Sequence, residues 1–445
     1  MKRSTGILFL VALALAAFVY FYDLKHKPAS EAASSESSKP AFTLTSSDVK
    51  QIKIQRAGTT MDFERKSDGW YMTQPRAQRA EGSALDGLAS TLSFVSVDRT
   101  FPNTPDNLNS FGLKDPTVTL DFTLNNGTSH EVRFGGKDFS ASSVYALIDD
   151  GKQISLMADS LYSNANKSPD DFRDKSLTGV AAADANFFDL ANSSGEVSGT
   201  KKDNNWTLSK PRAIAGDRSK IDALLSAVGT GQITKFVSDT DAGLAKYGLD
   251  NPAVRFQAKL ADGKSVQLAV GKKEGSDYYA RDLSHPGVFE INDNLYSILS
   301  DKYIDLRDKE ITHIMPDDVT RAEVHNLNGT FACIKGAGSG LVLEQTANKT
   351  ADGKSAAAPP SCPDFLGELG EDQADEIYDN PSASIAKELA KPAVQITITD
   401  KNGKKSQLVF SGITGDSIYG RSDASPAIFK FAKRVFDEVN FPQPK

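Results

Sequence analysis

A chain of 445 residues has room for about two to four domains, each able to bury its own core, which excludes a single small fold. Its 39% hydrophobic and 24% charged residues are ordinary for globular material, and a net charge of -7 without a concentrated basic stripe excludes the electrostatic footprint of a nucleic-acid binder. Two cysteines, Cys333 and Cys362, are too few for a disulfide scaffold and stand in no C-x-x-C or zinc-ligand spacing.

The chain opens on Lys2 and Arg3, then runs without a charge from Gly6 to Tyr22 before Asp23, Lys25 and Lys27. As a helix rising about 1.5 Å per residue, this run nearly covers a hydrocarbon core of ~30 Å, and Tyr20 and Tyr22 fall where an interfacial aromatic belt belongs. A cleaved signal peptide is the rival reading, because Ala12, Ala14, Ala16 and Ala17 supply small residues. Bulky Phe18 to Tyr22 follow them and leave no polar c-region, which favours an uncleaved signal anchor. Lysines flank the run on both sides, so orientation rests on the short tail and the large C-terminal part. The expected layout is a cytoplasmic tail (1–5), a transmembrane helix (6–24) and a flexible Ser/Ala/Pro linker (25–41). A single-pass protein of the inner membrane with extracytoplasmic C-terminal domains follows.

Segments 49–56 and 60–65 read as strands joined by a turn at Gly58. Next come Trp70 and, five residues on, Pro75; an amphipathic helix over Ser83 to Val95; and the motif Phe111-Gly112-Leu113 with Pro116. Val118, Leu120, Phe122 and Leu124 then alternate with polar residues, the period of a half-buried antiparallel strand, and Asn126-Gly127 supplies a tight hairpin turn before Val132 and Phe134. The Trp-Pro, Gly-Leu-Pro and hairpin-turn motifs recur 136 residues later: Trp206 with Pro211, Tyr247-Gly248-Leu249 with Pro252, Asp262-Gly263 for Asn126-Gly127, and Gly271 for Gly135. In this second copy Ile221, Leu224, Leu225 and Val228 share the apolar face of a helix over Lys220 to Val228. Each unit reads as β-β-β-α-β-β-β-β-α.

A third copy keeps its second half, with Pro392, Gly403, Tyr419, Pro426 and Phe429 each 140 residues after its counterpart. Its first half has Leu341 where a tryptophan is expected and carries a low-complexity insertion. The expected fold class is α+β: tandem repeats of about 135 residues, each of antiparallel β-sheet hairpins with packed helices, behind one transmembrane helix. The expected domains are repeat 1 (42–176), repeat 2 (177–311) and a diverged repeat 3 (312–445) with the insertion near 346–364.

The W-x-x-x-x-P, [FY]-G-L-x-x-P and Asp/Asn-Gly signatures behind an N-terminal anchor resemble the bacterial family catalogued as domain of unknown function 4340 (DUF4340). The resemblance covers most of residues 42–311 and the second half of the third unit, and Tyr247 to Pro252 is its most specific element. It implies a periplasm-facing envelope protein working beside integral-membrane subunits of an ABC-transporter or gliding-export type complex. No catalytic residue, cofactor or metal comes with it.

The residues themselves add no chemistry. His26, His130, His285, His313 and His325 are scattered, with no H-E-x-x-H and no pair at i, i+4. Gly336 to Gly340 looks like a phosphate loop but lies between two strands, which makes it a hairpin turn. Ser47 to Lys50 satisfies S-x-x-K without partner motifs. Trp70 and Trp206 recur within a fold element and so read as packing residues, and the Arg-Asp-Lys tripeptides at Arg173 and Arg307 read as junction caps or ion pairs. If the domain faces an oxidising compartment, Cys333 and Cys362 could bridge. The expectation is a non-enzymatic scaffold. The alternative is a glycan- or lipid-binding protein using the cleft between repeats 1 and 2, and an envelope hydrolase with unrecognised carboxylates is a further reading.

Overall fold

The computed structural model describes residues 39–178, 182–327, 329–336, 340–344 and 361–440. The expected tail, anchor, most of the linker, His26 and most of the insertion lie outside those residues. No helix among the described ones is long and apolar enough to cross a membrane. The chain forms two compact units, Met1–Lys175 and Ser176–Lys445.

The first unit holds one ten-stranded antiparallel sheet. Its strands are β1 (Lys39–Pro40), β2 (Val49–Arg56), β3 (Thr59–Lys66), β4 (Gly69–Gln74), β5 (Gln78–Arg79), β6 (Ser96–Pro102), β7 (Val118–Leu124), β8 (Ser129–Lys137), β9 (Ser143–Ile148) and β10 (Gln153–Ala158). Their spatial order is β1-β6-β10-β9-β8-β7-β2-β3-β4-β5. The end of the segment read as linker is thus a short strand, pairing Lys39 with Val97.

Period-two patterning decides which face is buried. Along β7 Val118, Leu120, Phe122 and Leu124 are buried and the residues between are half-exposed. Helix α1 (Gly82–Phe94) covers this face. The Glu81 side chain accepts the Ser83 N–H at its start, and Leu85, Leu88, Ala89 and Leu92 are fully buried. Each such leucine contributes roughly 1.5–3 kcal/mol on leaving water. The opposite face is covered only at its far edge, by helix α2 (Pro105–Ser110) and the Phe111-Gly112-Leu113 turn. There Leu113, Leu147 and Ile154 form a separate small core. Val144 and Ala146 of β9 belong to the main core while Tyr145 and Leu147 belong to the small one, which places the two cores on opposite faces of one sheet. Helix α3 (Ser160–Ala165) closes the unit by burying Leu161 and Ala165.

The second unit holds two more sheets. One comprises β11 (Ala185–Asn192), β12 (Gly195–Lys202), β13 (Asn205–Lys210), β14 (Ile214–Ala215), β15 (Lys235–Ser238), β16 (Val254–Leu260), β17 (Ser265–Glu274), β18 (Asp277–Asp282) and β19 (Val288–Ile291), in the order β14-β13-β12-β11-β16-β17-β18-β19-β15. Its helices are α4 (Arg218–Gly229), α5 (Asp293–Ile298) and α6 (Tyr303–Leu306). The other comprises β20 (Val319–Asn326), β21 (Gly329–Lys335), β22 (Leu341–Glu344), β23 (Glu376–Tyr378), β24 (Val394–Asp400), β25 (Lys405–Phe410), β26 (Ser417–Ser422) and β27 (Ile428–Ala432), in the order β22-β21-β20-β24-β25-β26-β27-β23. Helices α7 (Cys362–Glu371), α8 (Ala383–Glu388) and α9 (Arg434–Val439) accompany it. All three sheets have the same winding.

The per-unit order differs from the sequence reading in one respect. A strand follows the main helix in each copy; β15 and β23 close the far edge of their sheets, and β6 lies next to that edge, flanked by the two residues of β1. Ser96-Val97-Asp98-Arg99 shows no alternation, because β6, with only two residues of β1 beyond it, buries none of its residues fully. The glycine run at Gly336 to Gly340 does join two antiparallel strands, with the Gly336 N–H donating to the Gly340 carbonyl at 3.0 Å. Ser47 lies in the 3-10 turn before β2, where its hydroxyl meets that of Thr45 at 2.9 Å.

Candidate functional site

The repeated residues resolve first into structural devices. Trp70 and Trp206 are each 2% exposed, and each indole N–H donates to a carboxylate on the covering helix: Trp70 to Asp86 and Trp206 to Asp222, both at 2.9 Å. A cation completes each tie. Arg65 pairs with Asp86 and lies 4.6 Å from the Trp70 ring centre, while Lys201 reaches Asp222 at 3.1 Å. Burial opposes ionisation of Asp222, but the Trp206 N–H and Lys201 outweigh it and hold the carboxyl below its usual value. Pro75 and Pro211 follow cis peptide bonds in corresponding places. Gly112 and Gly248 adopt positive φ (+71° and +70°), and the turn they make presses on the neighbouring strand so closely that a Cβ on Gly135 or Gly271 would meet the carbonyl of Phe111 or Tyr247 at 2.1 or 2.2 Å. Leu113 and Leu249 are buried beside these turns, and Pro116, Pro252 and Pro392 each precede the strand that follows.

The third sheet lacks the tryptophan tie. Leu341 stands across from Lys335 as Trp206 stands across from Lys201, and Pro363 follows the first buried residue of the helix where Asp222 follows Ile221. In its place Cys333 on β21 and Cys362 at the start of α7 form a disulfide.

The second Arg-Asp-Lys tripeptide is a junction inside the second unit. Arg307, 1% exposed, donates from Nη1 to Asp379 at 3.0 Å, and Arg212 approaches the same carboxylate at 3.5 Å. Asp308, Glu310 and His313 bring three ligand-type atoms within 4.8 Å of one another. The two carboxylates, however, engage opposite ring nitrogens, Asp308 at Nε2 (2.5 Å) and Glu310 at Nδ1 (2.7 Å). Both nitrogens therefore carry protons, and the Asp308 hydrogen bond, helped by Glu310 and opposed by burial, pushes the ring to about 9. This is an imidazolium between carboxylates and offers a metal no lone pair. His130, His285 and His325 likewise have local partners in Asp149, Asp282 and Thr330.

What the sequence did not single out lies on the uncovered face of the first sheet. A groove of about 330 Å³ runs across the central strands β7, β2, β3 and β4, lined on its polar side by Lys53, Asp62, Glu64, Thr73, Asp121 and Thr123. Register places Lys53 directly across from Asp62 on one side and from Asp121 on the other. Among the described residues, none of Lys53, Asp62, Glu64 and Asp121 makes an ion pair or a side-chain hydrogen bond, and Asp62 Oδ1 is buried without a partner. Burial holds the Asp121 carboxyl above the usual aspartate value; Lys53 opposes this and Asp62 adds to it.

The other two sheets serve as internal comparisons. At the places of Lys53, Asp62, Glu64 and Asp121 the second sheet has Asp189, Ser198, Thr200 and Gln257, and there Asp189 adjoins the Glu196–Lys210 ion pair (2.5 Å). In the third sheet Glu323 occupies the first of these places and accepts from Arg321 at 2.8 Å. At these aligned places the other two sheets carry uncharged residues or a carboxylate with a side-chain partner, and the four groove charges of the first sheet have no such partner.

Three like-wound antiparallel sheets, each with a helix on one face and a largely open polar face on the other, define a tandem α+β repeat protein. The chain belongs to the family described as Domain of unknown function (DUF4340), whose model matches residues 70–205 and 206–382 as two adjacent copies. Each match begins at a buried tryptophan, on β4 of the first sheet and β13 of the second, so the family unit is out of phase with the folded one. No curated protein matches the chain.

Proposed function

We propose that the protein is a non-enzymatic, membrane-anchored extracytoplasmic interaction protein, accessory to a transporter-type envelope complex, and that it engages its partner through the groove of the first sheet. The observation that carries this reading is the contrast between copies: the fold accepts uncharged or internally paired residues at these places, yet the first sheet keeps four charged, half-buried and unpaired ones. The Cys333–Cys362 disulfide supports an oxidising compartment, and the apolar run Gly6 to Tyr22 supports the anchor. Asp121, with its raised carboxyl, is the feature a hydrolase would also use. Its cross-strand neighbours are Lys53 on β2 and Glu131 on β8, and Glu131 is already engaged by Arg133 at 3.0 Å, so the two carboxylates are not left free to share one proton-transfer point.

A photo-crosslinking residue placed at Gln51, beside the groove, in the full chain in its native membranes tests the proposal. An integral-membrane protein should be captured from Gln51 and not from Phe187, the same place in the second sheet. Capture of no membrane protein, or equal capture from both places, overturns it.

A further inference from the structure

We infer that the groove on the first sheet receives a basic side chain, arginine or lysine, from an extended segment of the partner protein. The inference rests on the interaction reading above and names the chemistry of what is bound. Lys53 against Asp62, Glu64 and Asp121 leaves two uncompensated negative charges in the groove. A half-buried carboxylate without donors is costly, and the cost is removed when a ligand brings them.

The arrangement narrows the ligand. Asp62 and Asp121 lie on strands that flank β2 on either side, about two strand spacings or roughly 9.5 Å apart in backbone position. The only three-residue group of metal-ligating type among the described residues is at Asp308, so the groove carboxylates do not converge on a point that an ion could occupy. A separated row of acceptors suits a cation that carries several N–H donors over some length. A guanidinium can present two parallel donors to one carboxylate while its chain covers the groove, and an ammonium can do so as a point charge. The groove is shallow and open to an approaching chain, and its charge is the complement of a basic residue.

The second sheet supplies substitutions that this fold already contains at the same places. In the full chain, Asp62→Ser combined with Asp121→Gln gives two of the four charged places the residues of the second sheet, and Asp189→Asn alters the second sheet's open face as a control. Tri-arginine amide, titrated calorimetrically into the solubilised full chain, should bind the wild type, weaken about tenfold or more in the double variant and be unaffected by Asp189→Asn. It should also weaken steeply with added salt. Unchanged affinity in the double variant, or equal loss in Asp189→Asn, overturns the inference, as does spermidine binding as tightly as the peptide. The crosslink from Gln51 separates the two levels. Its loss in the folded double variant supports a basic contact; its persistence there leaves the partner-binding reading standing and removes the basic side chain. Its absence in the wild type removes both.

Discussion

At Trp206 a single hydrogen bond joins a strand to the helix that covers it. The ring is buried, so an N–H without an acceptor would cost roughly 1–3 kcal/mol, and Asp222 relieves this while Lys201 keeps the carboxylate charged. Neither aspartate is visible as a partner in the sequence, although Asp86 and Asp222 are themselves 136 residues apart and so carried a signal. His313 shows the opposite case, a residue without repeat counterpart whose state is set by two neighbours. Its folded value of about 9 lies above the ordinary histidine value of 6.5, so its contribution to stability is whole below about pH 6.5 and is lost as pH rises through about 9. Most of the ring is exposed, and solvent screening keeps that contribution small. A proton NMR titration should place the His313 midpoint near 9, and a midpoint near 6.5 would show that Asp308 and Glu310 do not hold it.

The [FY]-G-L turn is the element that gives the repeat its most specific sequence signature. It exists because the chain must change direction over a strand without room for a side chain. Gly112 and Gly248 provide the left-handed backbone, and Gly135 and Gly271 provide the space. A Cβ at Gly271 would meet backbone, which cannot swing aside as a side chain can. Gly271→Ala should therefore destabilise the second sheet by roughly 1–3 kcal/mol or more, read as a lower urea midpoint; an unchanged midpoint would mean the turn can lift away. The third copy confirms the dependence by losing both halves together. Glu388 and Ser411 stand where the two glycines would be, and the Ser411 hydroxyl is built into the strand, accepting the Tyr419 N–H at 3.0 Å and donating to the Gly412 carbonyl at 2.7 Å.

Across the whole molecule one winding is used three times, with a different fastening between sheet and helix in the last copy. Where the first two sheets use indole, carboxylate and cation, the third uses a covalent bond closing a loop of 29 residues. Removing it should cost the third sheet roughly 3–4 kcal/mol. Cys333→Ser should lower the first thermal transition of the full chain, and a reducing agent should do the same to the wild type while leaving the variant unchanged. Equal melting of all three would show that the disulfide is not what fastens α7. Cross-strand volumes are also exchanged between copies: Ile52 faces Phe63, Phe188 faces Gly199 and Ala322 faces Cys333, so one large ring fills each of the first two places and a disulfide the third. This is the packing freedom of a core that conserves volume more than identity.

The sequence by itself determined the tandem repeat, the main hairpins, the covering helices and the structural nature of the tryptophans. Those depend on local periodicity, turn residues and recurrence, all of which are written along the chain. It missed β6, β15 and β23, because strands at or next to a sheet edge bury too little to impose a pattern. It left the pairing of Cys333 with Cys362 open, because their approach requires the helix to fold back across β21. The groove was invisible for the same reason. Lys53, Asp62 and Asp121 are ordinary polar positions of alternating strands until antiparallel register sets them side by side, and only the comparison of three folded copies shows that the same places elsewhere are uncharged or carry a partnered carboxylate.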